Sequence, residues 1–229
     1  MSINVAFVTD MGFLTPTLTA VDSPLRHTNS HVVVHFVDHE LTKEGLRDLE
    51  LVIAHHSNAN LCMHVLTSDL FAGMERKDPR IALVTLGRMF LPTWVEGRVL
   101  YLDGDILVEG DVAPLFDLDM QGKPIGVVRD FMVLYYLCGK NKPYEYFSGI
   151  MSPRPASDYF KAGVLLIDCN AIRADKELNF SMTDMRAAGA YDYLDQDHLN
   201  VLFKGRTLIL DGCWNAAWGK VKPHHRFEN

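Results

Sequence analysis

The stretch Val99-Leu100-Tyr101-Leu102-Asp103-Gly104-Asp105-Ile106-Leu107-Val108 sets two carboxylates one residue apart between short apolar runs. The spacing predicts a strand, an acidic tip and a second strand. Carboxylate oxygens held at the end of a rigid strand suit a hard divalent cation such as magnesium or manganese. Such a cation in turn suits a diphosphate. Taken alone, Asp-Gly between apolar runs is also a hairpin signal, so the residues around it carry the decision.

Apolar, β-branched runs recur at Ile3 to Val8, His31 to Val37, Leu61 to Leu66, Val99 to Leu102, Ile125 to Val128, Gly163 to Ile167 and Thr207 to Leu210. Helical segments are expected between several of them. Thr15-Pro16 reads as an N-cap followed by a first-turn proline, and Leu41 to Ala54 carries Leu41, Leu46, Leu49 and Ile53 at near-helical spacing. Strand and helix in alternation predict an α/β fold, a mostly parallel sheet with helices on both faces. Asp130 to Ser157, punctuated by Lys142-Pro143, Ser152-Pro153 and Arg154-Pro155, reads as a long loop or lid with some helical start, either a candidate for acceptor contact or closure over a donor, or simple surface irregularity.

A chain of 229 residues with 48% hydrophobic and 22% charged residues fits one globular domain with a substantial core. The formal net charge of −7 offers no electrostatic footprint for nucleic acid. An anionic substrate therefore needs a local bridge. The four cysteines form no CxxC pair and read as reduced thiols, and no apolar run is long enough for a bilayer. Without a signal-like amino terminus, a cytoplasmic protein is expected.

Asp10 ends the first apolar run, where open α/β sheets place ligand-binding groups, although it also suits a cap before Thr15. Arg88 lies within the apolar Val84 to Leu91 and needs a partner, a phosphate or a carboxylate. Asp195-Gln196-Asp197 opens a helix whose Leu199 turns to the core, and acidic residues there complement the helix dipole. His198 reads as a packing or surface residue.

Five blocks in order resemble glycosyltransferase family 8, the retaining enzymes that use nucleotide sugars. They are Val5 to Asp10, Leu86-Gly87-Arg88-Met89-Phe90-Leu91-Pro92, Val99 to Phe116, Tyr159 to Ile167, and Leu194 to Asn200. The resemblance implies a GT-A-type fold over residues 1–229 as one catalytic domain. It implies a hexose, glucose or galactose, moved from a UDP-sugar to a hydroxyl of a saccharide or lipid-linked saccharide. Peripheral membrane contact is compatible with such an acceptor. Val8 and Asp10 would meet the base and ribose, and Arg88 the donor phosphate or the carboxylate cluster. Asp103 and Asp105, around Gly104, would hold manganese or magnesium. Lys161, Ala162 and Gly163 would line the sugar site. Asp195 and Gln196 would steady the positive anomeric carbon, with Asp130 as a further candidate catalytic carboxylate.

The chain departs from the family at three places. Met11-Gly12-Phe13 follows Asp10 where the family has an acidic residue, an asparagine and an aromatic, and Lys161 replaces an asparagine. A lysine offers a point charge and no acceptor. The family's closing His-x-x-Gly-x-x-Lys-Pro segment, which completes the metal site, has only partial echoes at Gly139 to Tyr144 and Gly219 to His224; His224 and His225 are weak substitutes for its histidine. A nucleotide-binding relative with little transfer is therefore the chief rival. A nucleotidyltransferase ranks below it, since Thr9 to Thr19 contains no glycine-rich basic loop.

Overall fold

A computed structural model describes residues 2–72, 74, 82–139 and 143–216. The Gly219 to His224 echo, His225 and Arg226 lie outside the described residues, as do Lys140 to Lys142 of the earlier echo.

The seven apolar runs become the seven strands of a single sheet: β1 (Ser2–Asp10), β2 (His31–His39), β3 (Ala59–Val65), β4 (Arg98–Leu102), β5 (Ile125–Arg129), β6 (Phe160–Asp168) and β7 (Thr207–Ile209). Their order is β3-β2-β1-β4-β6-β5-β7. All neighbours run parallel except β6, which is antiparallel to both β4 and β5. The sheet is mostly parallel, as expected.

Alternate residues of the central strands feed two cores, because successive side chains leave opposite faces of a strand. Ile3, Val5 and Phe7, with Val32, Val34 and Phe36, pack under α1 (Leu14–His27) and α2 (Lys43–Ala54). The short α4 (Ala113–Phe116) joins this face through Leu115 and Phe116. Ala6, Val8 and Val37 face the other way, toward a 3-10 helix at Leu83–Phe90 that runs into α3 (Leu91–Trp94). The helices α7 (Cys169–Ala174), α8 (Lys176–Met182), α9 (Met185–Gly189) and α10 (Leu194–Leu202) complete that layer. Gly87 makes the close approach possible: a Cβ there would lie 2.7 Å from Val8 Cγ1 and 3.2 Å from Leu66 Cδ2.

Two local expectations are corrected. No strand follows the acidic tip: Ile106 N–H turns back to Asp103 O at 3.0 Å, and Val108 N–H donates to Ser23 Oγ of α1 at 2.9 Å. Ile106 and Val108 fill the α1-side core instead of pairing with a strand. Asp130 to Ser157 is not a lid-like loop but carries α5 (Phe131–Gly139) and α6 (Pro143–Met151), packed with Tyr159 in a small satellite core. The prolines that read as irregularity mark helix boundaries: one opens α6, and two follow it. A smaller shift concerns α1, which starts one residue before Thr15 without a side-chain cap, while Asp10 caps the 3-10 turn Met11–Phe13. Thr42 caps α2, and Leu49 and Ile53 are its buried leucine and isoleucine. Cys62, Cys138, Cys169 and Cys213 are all free. Among the described residues no helix is long and apolar enough to cross a membrane.

Gly87→Ala is expected to destabilise the fold by about 1–3 kcal/mol, as overpacking of a filled core does. Urea unfolding measures it.

Candidate active site

Strand order reverses at β1: β2 and β3 lie on one side and β4 on the other. Open α/β sheets bind ligands at that switch point, beyond the carboxyl ends of the strands. Asp10 ends β1 and Asp103 follows β4 there. Because β6 runs antiparallel, its first residues lie at the same end, with Leu102 paired to Val164 and Asp103 N–H donating to Gly163 O at 2.8 Å. A register shift between Val127 and Val128 then brings Lys161 opposite Val128.

Arg88 is the centre of the site. It is 4% exposed, and its guanidinium lies 3.0 Å from Asp103 Oδ1 and 2.8 Å from Asp195 Oδ2. Nη1 donates to Ala162 O at 2.6 Å and Nε to Thr85 O at 3.0 Å, while the cation sits 4.6 Å from the centre of the Tyr101 ring. Burial alone would lower the guanidinium pKa, but Asp103 and Asp195 outweigh it and hold Arg88 charged. Because Nε–H is spent on Thr85, its contact with Asp195 Oδ2 is an ion pair without a hydrogen bond. Asp195 Oδ2 is left as a buried acceptor with no donor, while Oδ1 accepts from Thr85 Oγ1 at 3.2 Å. Burial raises the Asp195 pKa, and Arg88 opposes the rise.

A cavity of about 160 Å³ is lined by Thr85, Arg88, Asp103, Ala162, Tyr193, Asp195 and Gln196. Gln196 is fixed at both ends of its amide: Oε1 accepts from Ala162 N–H at 3.1 Å, and Nε2 donates to Tyr159 Oη at 3.1 Å and to Asp130 Oδ2 at 3.4 Å. Tyr159 Oη in turn donates to Asp197 Oδ1 at 2.6 Å. Asp197, fully buried, also accepts from Tyr146 Oη and from Tyr193 N–H. Burial raises the Asp197 pKa, and the two tyrosine hydrogen bonds counter it.

The remaining expected residues fall into distinct settings. Asp103 Oδ1 accepts from Tyr101 Oη at 2.7 Å. Its Oδ2 presses on Gly163, where a Cβ would come within 2.8 Å of it. Gly104 is small for a comparable reason, since a Cβ there would meet Thr17 Oγ1 of α1. Asp105 is exposed and lines a second, larger cleft of about 830 Å³ on the far side of the turn, together with Arg129, Asp130, Lys161 and Trp214. Asp130 caps α5, its Oδ1 accepting from Met132 N–H at 2.8 Å. Asp10 lines neither cavity; its Oδ1 accepts from Phe13 N–H. Val8 is buried against Gly87 in the core, so its side chain faces away from the strand ends. His198 is a packing residue with Nε2 beside Ser181 O.

The structure thus gathers Arg88, Asp103, Ala162, Asp195 and Gln196 around one cavity and places Asp105, Asp130 and Lys161 along the other. Sequence reasoning missed Thr85, Tyr101, Tyr159 and Tyr193. Each touches the site by a hydroxyl, a ring or a backbone N–H, and nothing in their spacing sets them apart from core residues. The donor set at the turn fits a hard cation: Asp105 forms no hydrogen bond or ion pair among the described residues, and Asp103 Oδ2 accepts none. Those residues bring no third carboxylate, histidine or cysteine to the pair.

A ligand crevice at the switch point of a mostly parallel sheet defines the class as that of ligand-binding α/β proteins. Comparison with known proteins narrows the class. The model of glycosyl transferase family 8 matches residues 4–226, and the chain belongs to that family. It is 27% identical over 218 residues to the glycosyltransferase GlyE of Streptococcus pneumoniae, covering 94% of this chain and 48% of that protein. It is 31% identical over 140 residues to the lipopolysaccharide 1,2-glucosyltransferase of Escherichia coli, covering 57% of this chain and 38% of that one. The galactosyltransferase LgtC, solved with donor and acceptor sugar analogues, shares the fold with a TM-score of 0.72 at 24% identity, over 92% of this chain and 74% of that one. The chain spans about half or less of the length of these curated relatives.

Arg88→Met leaves two carboxylates without their cation and is expected to cost about 3–5 kcal/mol of stability. Adding Asp195→Asn should recover part of the loss, which a double-mutant cycle in urea reads as coupling between the two.

Proposed function

We propose that this chain is the donor-binding and catalytic part of a retaining hexosyltransferase. It moves glucose or galactose from a UDP-sugar to a hydroxyl of a saccharide or lipid-linked saccharide. The observation that carries the reading is the small cavity at the sheet's switch point in which Asp103, Asp195 and Gln196 come together around Arg88. Carboxylate and amide oxygens accept hydrogen bonds, and a sugar hydroxyl is a donor.

In this reading Asp103 and Asp105 hold manganese or magnesium. A cation bound there supplies Lewis-acid neutralisation of the charge on the departing diphosphate. The protein's own groups do the rest. Arg88 holds Asp103 and Asp195 at a set separation. Asp195 and Gln196 present oxygens to the anomeric carbon as it becomes positive, a preorganised electrostatic role. The acceptor attacks from the face the diphosphate leaves, and that phosphate takes its proton, so no strong general base is required. Lys161, exposed in the larger cleft beside Asp105, carries a charge where the family has an amide. This favours one alternative, a nucleotide-sugar binder with little turnover.

Calorimetric titration with UDP, with and without manganese, tests the donor site. Metal-dependent binding that is lost in Asp103→Ala/Asp105→Ala is expected; a folded protein that binds UDP under no metal condition sinks the reading. With UDP-glucose and UDP-galactose as donors, Gln196→Ala is expected to lower kcat by about 10²-fold, in the range of a removed transition-state contact, with UDP affinity little changed. If the chain binds UDP but transfers nothing, Lys161→Asn separates the alternatives: transfer restored by that change identifies a site disabled by its lysine.

A further inference from the structure

His35, Cys62 and His64 form a cluster away from the switch point, on the edge of the sheet. In register, His35 of β2 lies opposite Cys62 of β3, and His64 follows two residues on. All three therefore project from one face of the sheet. One ligand atom from each lies within 4.8 Å of the other two. His35 is buried, and Cys62 and His64 are half-buried. Two imidazoles and a thiol are the ligand set of zinc, not of the hard cations that suit carboxylates.

The surroundings of His35 are those of a prepared ligand. Asn4 Nδ2 donates to Glu96 O at 3.2 Å and Arg98 O at 3.0 Å, which fixes its amide and turns Oδ1 toward His35 Nε2 at 3.2 Å. Nε2 must then carry the proton, and Nδ1 presents its lone pair to the cluster. Zinc-bound histidines are characteristically held by such a partner on the distal nitrogen. The His64 ring is braced from behind by Trp94 of α3, with ring centres 5.1 Å apart and planes 14° from parallel.

We propose that His35 Nδ1, Cys62 Sγ and His64 Nε2 bind a zinc ion that pins the edge strand β3 to β2, with water at the fourth position. Zn–N and Zn–S bonds of about 2.0–2.3 Å require ligand separations of roughly 3.3–3.7 Å. His35 Nδ1 and His64 Nε2 stand 3.0 Å apart without the ion, with ring centres 5.3 Å apart and planes 7° from parallel, so the nitrogens face each other head-on. Loading opens that pair by a few tenths of an ångström and turns the rings until both lone pairs converge on the metal in place of the hydrogen bond. An edge strand otherwise offers unpaired backbone to other chains, which gives the ion a structural use.

The site is independent of the donor reading, and cobalt(II) distinguishes it from the carboxylate pair. In a Cys138→Ser/Cys213→Ser background, which removes the exposed thiols, one equivalent of cobalt should produce a thiolate-to-cobalt charge-transfer band that zinc displaces. The band should survive Asp103→Ala/Asp105→Ala and vanish in Cys62→Ser. His64→Gln should weaken zinc binding by about tenfold or more. Zinc should raise the Tm of the background protein and not that of Cys62→Ser. Absence of the band, or zinc affinity unchanged by Cys62→Ser, overturns the proposal and leaves a neutral imidazole pair joined by a hydrogen bond.

Discussion

The ion pairs of Arg88 are the contacts on which the site and much of the fold depend. Bringing Arg88 and Asp195 out of water, with Asp103 part-buried beside them, costs several kcal/mol per buried ion, and the cost is recovered only with good geometry and further hydrogen bonds. Arg88 has both. Nη1 serves Asp103 and the Ala162 carbonyl, Nε serves the Thr85 carbonyl and lies against Asp195, and the flat face rests near Tyr101. One side chain thereby joins the 3-10 segment, β4, β6 and α10. A lysine could not do the same, having no planar fork and no face to stack. Apolar residues would fill the space at less cost, so the arrangement makes sense where the charges themselves are used.

Around this centre lies a second set of constraints that fix direction. The Ala162 N–H can only donate, so the Gln196 amide must turn its oxygen toward β6 and its nitrogen toward Tyr159 and Asp130. Tyr159 is held in turn by Asp197, which also anchors Tyr146 and the Tyr193 backbone. The backbone shows the demand at Leu194, where φ is +44° at a fully buried leucine. A side chain with a Cβ pays roughly 1–2 kcal/mol for that conformation. It persists because Asp195 must point at Arg88 while Leu194 fills the core.

The sequence was legible where one local rule governs. Seven β-branched runs matched seven strands, since a parallel strand buried on both faces has to be apolar throughout. Legibility ended where partners are distant in the chain. Ile106 and Val108 read as strand because their apolarity says that they are buried, not against what; the partner is α1, some 85 residues earlier. Asp130 to Ser157 read as irregular because its prolines lie at helix ends, where they are tolerated. In the site, carboxylates and a lone buried arginine stand out in any apolar run. Tyr159 and Thr85 do not, since a tyrosine in a core segment and a threonine in a helix are ordinary until their hydroxyls are seen to meet Asp197 and Asp195.

The same geometry constrains how an anion is received. Arg88 might be taken for the phosphate-binding cation, yet it is buried, with its charge already balanced by Asp103 and Asp195. Together with Asp105, the group carries one cation against three carboxylates. A diphosphate approaching this turn is repelled unless positive charge is added from outside the set. Lys161 and Arg129 line the cleft beside Asp105, but Arg129 is shared with Asp158 at 3.7 Å. A divalent ion on Asp103 and Asp105 would neutralise that excess without disturbing Arg88, because the Oδ2 atom of Asp103 and the carboxylate of Asp105 are free of hydrogen bonds among the described residues. The acidic pair and the arginine are thus two parts of one electrostatic arrangement: Arg88 holds Asp103 and Asp195 in place, and the turn is left with an excess of negative charge.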